Sequence, residues 1–191
     1  MSRAFHKAKL PLWYTEGFNP HVFLTFAAPL SLGFEGRRES MDIRLIEEMP
    51  YAELIEKLNA GLPRDIRVYA VTEPKMKGND IANAEYVLRA ETGDPAALQA
   101  ALEVVLARPE LLVQTHTKKG ERTVDIRPYF ADMRFEPEDG CLAMTVRLPA
   151  GIQGGINPSL FIDAAEKLLG RAIPTRVERT GLFDGSFREF Q

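Results

Sequence analysis

Ala84-Glu85-Tyr86-Val87-Leu88-Arg89-Ala90, followed after three residues by Asp94-Pro95-Ala96-Ala97-Leu98-Gln99-Ala100-Ala101-Leu102, is the stretch on which the fold turns. The first segment is rich in β-formers and of strand length, so it predicts a strand. Asp94 then suits a helix N-cap and Pro95 a first helical position, and the alanine- and leucine-rich run predicts a helix to residue 108. Downstream the pattern changes back. Strands are expected over 111–117, 123–126 and 141–148, with Glu138-Asp139-Gly140 as the turn before the last. Asn157-Pro158 opens an amphipathic helix that ends at Gly170, and 173–179 reads as a closing strand. Upstream, a basic helix over 2–9 stops at Pro11, and strands are expected over 22–27 and 41–46. A helix over 51–62 and a strand over 66–71 follow, and the polar stretch 74–80 marks a boundary. The expected fold class is α+β. It consists of tandem ferredoxin-like (βαββαβ) halves, mostly antiparallel sheets with helices on one face, and the first strand of the first half is missing from this chain. The halves are placed at 1–76 and 77–191. They share no residue-by-residue repeat, so the tandem arrangement is an expectation about topology.

Composition narrows the class. With 191 residues, 45% hydrophobic and 27% charged, the chain is long enough for one or two cores and far from a disordered composition. Lys plus Arg number 24 against 27 Asp plus Glu, so no whole-protein field attracts nucleic acid or anionic lipid and any such binding needs a local patch. The single cysteine, Cys141, excludes an internal disulfide and a multi-thiolate metal site held by this chain alone. No apolar run reaches membrane-spanning length. These features predict a cytoplasmic, soluble protein with no membrane partner.

The segment from Arg3 to His21, read through Ala4-Phe5-His6-Lys7-Ala8-Lys9-Leu10-Pro11-Leu12-Trp13-Tyr14-Thr15-Glu16-Gly17-Phe18-Asn19-Pro20, closely resembles the opening motif of the radical SAM-linked protein family, a bacterial-type domain of unknown function. Further matches fall in the family's order. They are Phe26, Pro29-Leu30, Leu32-Gly33, Asp42, Leu58-Asn59-Ala60 with Leu62-Pro63, Ala84-Glu85-Tyr86, Lys118-Lys119-Gly120, Val124-Asp125-Ile126-Arg127-Pro128, Asn157-Pro158 and Arg179-Thr180-Gly181. The resemblance implies a companion of a radical SAM protein, encoded beside it or fused to its C-terminal side. It also implies that family members begin with a further strand and a His-Leu-Asp helix start, so Met1 resembles an internal methionine of that helix. The Cys-x3-Cys-x2-Cys signature of a radical SAM enzyme is absent. S-adenosylmethionine and the iron–sulfur cluster are therefore expected only in the partner, and no cofactor or metal in this chain.

No catalytic constellation stands out, so the candidate residues are binding residues. Trp13, Tyr14, Glu16, Asn19 and His21 crowd a loop ahead of a strand, where polar and aromatic groups build ligand sites, while Gly17 and Asn19-Pro20 shape its turn. Lys118, Lys119 and Arg122 form a cationic hairpin tip, with Asp125 and Arg127 expected as a structural pair on the next strand. Arg37, Arg38, Arg171, Arg176 and Arg179 are further cations with no acid matched to them in the reading. Phe23 and Phe26 are expected in the core, and Cys141 as an inert thiol inside a strand. The loop 151–155 is glycine-rich but lacks the lysine of a phosphate-binding loop. The function expected is a non-catalytic companion presenting a substrate or docking surface for RNA, a ribonucleoprotein or a ribosomal component, on analogy with RNA-processing proteins of similar layout. The alternative is an RNA-processing or RNA-modifying enzyme with His6 or His21 as general acid or base.

Overall fold

The computed structural model describes residues 2–117, 120–151 and 154–191. The chain forms two compact units, one of Met1–Ala27, Ser40–Lys77 and Gln191, the other of Ala28–Glu39 and Gly78–Phe190. The second unit thus borrows a strap from the first half of the sequence.

In the first unit, helix α1 (Ser2–Ala8) lies beside helix α2 (Tyr51–Gly61). Gly61 makes the close approach possible, because a Cβ there would meet the carbonyl oxygen of Ala4 at 2.6 Å. Phe5, Leu12, Val22, Leu54, Leu58 and Leu62 form the core of this unit. Each such side chain contributes about 1.5–3 kcal/mol on leaving water. Strands β1 (Leu24–Phe26) and β3 (Met41–Ile43) pair antiparallel, Leu24 opposite Ile43 and Phe26 opposite Met41. The strand expected over 66–71 does not form. The Asn59 side chain takes the place of a ladder partner there: its Oδ1 accepts from the Val68 N–H at 2.8 Å and its Nδ2 donates to the Val68 carbonyl at 2.9 Å. The β-rich composition of 66–71 finds no strand to pair with.

The second unit carries a five-stranded sheet in the order β2-β9-β4-β8-β7, where β2 is Glu35–Gly36, β4 Ile81–Glu91, β7 Arg134–Glu138, β8 Cys141–Pro149 and β9 Thr175–Asp184. The β9, β4, β8 and β7 neighbours are antiparallel, and β2 joins β9 in parallel. Helix α3 (Pro95–Leu106) starts where expected, with Asp94 Oδ1 accepting from the Ala97 N–H at 2.9 Å. Helix α5 (Ser159–Leu169) ends on Gly170 in the left-handed conformation. Buried residues of α3 (Leu98, Leu102, Val105) and α5 (Phe161, Ile162, Ala165) join Leu88, Leu142, Met144 and Leu148 of the sheet in the core, and Phe161 stacks on Phe130 of the short helix α4 (Arg127–Phe130) at 5.2 Å. Between α3 and β7 a separate antiparallel hairpin joins β5 (Leu112–Thr117) to β6 (Gly120–Asp125). No helix among the described residues is long and apolar enough to cross a membrane.

Candidate functional site

The loop that the sequence singles out is an excursion from a nearly continuous strand. Residues 11–13 pair with 44–46: Trp13 N–H donates to the Arg44 carbonyl at 2.8 Å and Ile46 N–H to the Pro11 carbonyl at 2.8 Å, with Leu12 bridged to Leu45. Ten residues later the same ladder resumes as β1 against β3. The chain between leaves and returns at one point, because Phe23 N–H donates to the Trp13 carbonyl at 3.0 Å and Tyr14 bridges Val22. Period-two alternation then sorts the side chains. Leu12, Leu24, Ile43 and Leu45 turn to the core, while Trp13, Thr25, Asp42 and Arg44 share the outer face.

On that face the Arg44 guanidinium lies 5.0 Å from the Trp13 ring, and Phe23 meets Trp13 edge-on at 5.8 Å. Such cation–π contacts stabilise by about 0.5–1 kcal/mol at exposed sites. Phe23 and Phe26 are not core residues, being 39% and 47% exposed. The aromatic content of 22–26 reads as core, but only Val22 is buried and Leu24 half-buried.

The excursion is braced from within. His21 N–H donates to Thr15 Oγ1 at 3.1 Å, and Thr15 N–H to the His21 carbonyl at 2.8 Å. His21 Nδ1 lies 3.0 Å from Thr15 Oγ1 and 3.3 Å from the Asn19 carbonyl oxygen. The carbonyl only accepts, so it is served by the tautomer with the proton on Nδ1, whereas the Thr15 hydroxyl can serve either tautomer. Tyr14 Oη bonds His6 Nδ1 at 3.2 Å, so each of these two histidines has its own partner. Gly17 holds φ at +130°, a conformation that side-chain-bearing residues resist. Beyond it Phe18 stands fully exposed at the tip, with Glu16 and Asn19 exposed on either side.

The remaining candidates lie in the second unit. Arg37 approaches Glu178 at 4.0 Å and Arg38 pairs with Glu189. Arg176 pairs with Glu91 at 3.1 Å, and Arg179 is buried against Glu39, with Nη1 donating to the Pro29 carbonyl at 2.8 Å and Nη2 to the Ala28 carbonyl at 3.2 Å. These four cations have acids after all, remote in sequence and brought near through sheet pairing, while Arg171 is exposed and forms no ion pair with a described residue. Burial opposes the Arg179 charge, but Glu39 more than offsets it and holds the guanidinium above its ordinary value. Arg122 is exposed on β6, and the Lys118 and Lys119 candidates lie outside the described residues. The Asp125–Arg127 ion pair is replaced by a backbone role, since Asp125 Oδ1 accepts from the N–H groups of Leu111 at 2.8 Å and Arg127 at 3.1 Å. Arg127 Nε is buried without a partner among the described residues. Burial and then Glu138 push the Cys141 thiol up, away from reactivity. No group of three or more metal-ligating side chains occurs among the described residues.

The family described as an uncharacterized protein conserved in bacteria, DUF2344, matches residues 1–158. The chain belongs to that family. No curated protein and no solved structure matches it. The DUF2344 match takes in the whole excursion, its supporting β1–β3 ladder and the β5–β6 hairpin. Two members of the candidate site escaped the sequence reading, Arg44 on the outer face and Thr15 in the brace of the excursion. Arg44 was accessible to it, because alternation over 41–46 already separates Asp42 and Arg44 from the apolar positions. Thr15 carried no such signal.

Proposed function

We propose that this DUF2344 chain is a non-catalytic companion of a radical SAM protein and presents the 14–22 excursion as its docking surface. The observation that carries the reading is Phe18, a fully exposed aromatic side chain on a loop braced at its base by backbone bonds and by the Thr15–His21 pair. A large apolar side chain held rigidly in water is the usual form of a binding anchor, since little ordering entropy opposes its burial. RNA or a ribonucleoprotein is the substrate class we assign to the pair. The outer cluster of Trp13, Phe23 and Arg44 supports this, offering ring faces and a cation of the kind that hold unpaired bases. The proposal includes a cytoplasmic setting and a reading of the two units as tandem ferredoxin-like halves. The β9-β4-β8-β7 order of the second unit, with α3 and α5 as its two crossovers, supports that topology for the second half alone.

The test is co-purification with the neighbouring radical SAM protein. Phe18→Ala should abolish the complex while changing stability by no more than about 0.5 kcal/mol, as exposed substitutions usually do. A variant that still binds sinks the reading. A second reading, an RNA-processing or RNA-modifying enzyme, is favoured by one observation: His21 is exposed, and its ring is oriented by the contacts of Nδ1 with Thr15 and the Asn19 carbonyl. Loss of RNA turnover by the isolated chain on His21→Ala, with docking intact, would select it.

A further inference from the structure

The second unit holds an open groove of about 760 Å³ between β5 and α5. Leu111, Leu160 and Ala164 supply apolar lining. Residues 111–114 border it together with Thr123, which stands opposite Gln114 on β6, so the groove runs along the β5 side of the hairpin. Among the described residues β5 pairs with β6 alone. The Leu111 carbonyl accepts from the Ile126 N–H at 2.9 Å. Antiparallel alternation then turns the backbone groups of Leu111 and Val113 toward β6 and those of Leu112 and Gln114 away from it. A two-stranded hairpin is marginal alone and gains from a third strand. Nothing in β5 discourages one, since Leu112–Thr117 contains neither proline nor a lysine or carboxylate.

Arg108, Glu110, Asp163 and Lys167 also line the groove, and none forms an ion pair with a described residue. Burial, followed by the nearby Glu166 charge, holds the Asp163 carboxyl above its ordinary value, a cost that an incoming cation relieves.

We propose that this groove captures an extended segment of a partner protein, which adds as a third strand to the 112–114 edge and brings both a basic and an acidic side chain to the charges lining the groove. Charge selects this occupant over β5 of a second copy, which has no lysine, arginine or carboxylate to offer, and Pro137 interrupts β7, the charged edge strand of such a copy. Main-chain bonds supply affinity in such strand addition, and alternate side chains supply specificity. The inference uses no residue of the 14–22 excursion and stands or falls separately from the docking role assigned there.

Amide spectra of the isotope-labelled full chain test it, with peptides of about nine residues, a common strand length, in which valine alternates with threonine while one lysine and one glutamate are permuted through the threonine positions. At least one should bind with a dissociation constant below about 1 mM and slow solvent exchange of the Gln114 amide. Gln114→Pro removes that donor and should weaken binding about tenfold or more. Lys167→Glu leaves the edge intact and should change which peptide is preferred. Absence of any binder within that limit overturns the proposal. So does a binder indifferent to both variants, or concentration-dependent self-association of the chain that Leu112→Lys abolishes.

Discussion

Two outer strands of the second unit treat their free edges in opposite ways. β7, which ends the five-stranded sheet, carries Arg134, Glu136, Pro137 and Glu138, and only Phe135 among its five residues is not exposed. Charges repel an approaching strand and Pro137 has no N–H to offer it. β5 carries leucine, valine, threonine, glutamine and histidine, and its edge looks across a groove to α5. One edge is closed by its side chains, the other left unpaired among the described residues beside a groove that α5 also lines. The far side of the five-stranded sheet shows a third solution. There the strap Ala28–Glu39 lays β2 along β9 and is pinned by Arg179, only 3% exposed, through Glu39 and the carbonyls of Ala28 and Pro29.

The largest expected effect comes from undoing that third solution. Arg179→Ala leaves Glu39 without its buried partner and should cost about 3 kcal/mol in chemical denaturation, the usual scale for breaking one side of a buried pair. Exchange of the Arg37 amide, which donates to the Arg179 carbonyl at 2.9 Å, should rise with it. An unchanged Arg37 amide would mean that the strap is held by its backbone alone. A smaller effect tests the contrast directly. Pro137→Val combined with Glu138→Val gives β7 the composition of β5 without its groove, and sedimentation should show more self-association than the parent chain, with stability altered by no more than about 1 kcal/mol. Equal association in both would show that the proline and the acid do not close that edge. The smallest effect lies beside β5. Since its surroundings raise the folded-state value of the Asp163 carboxyl, its ionisation disfavours the fold, and stability is lost as pH rises through that range. Asp163→Asn should therefore match the parent in acid and exceed it slightly near neutral pH. Identical pH profiles would remove the groove's influence on that carboxyl.

The same contrast explains what could be read from the sequence. β4, α3, β8 and α5 were legible because burial imposes a period on them, and Asp94 and Gly170 mark helix ends by local backbone chemistry. β7 was not, since the residues that close an edge are those that disguise a strand. The reverse error, at 66–71, has a matching cause. β-formers were present, but the partner there is the Asn59 side chain, which propensity cannot register. In the candidate site, Gly17, Asn19-Pro20 and His21 announced a built loop. The cation over Trp13 needed only the alternation at 41–46 to be found. The ion pairs of Arg37, Arg38, Arg176 and Arg179 depend on strand pairing across the whole chain, and the β5–α5 groove on a crossover, so neither leaves a local trace.

The strap also has a consequence in time. Glu39 and Arg179 stand 140 residues apart in the chain. At translation rates of about 5–20 residues per second, the ribosome makes Glu39 on the order of ten seconds before its guanidinium exists. Throughout that interval 28–39 has neither its ion pair nor its β9 partner, and α2 and β4 emerge ahead of both. The five-stranded sheet therefore includes a strand, β2, that is made before its other four, but it is closed only when β9 leaves the ribosome.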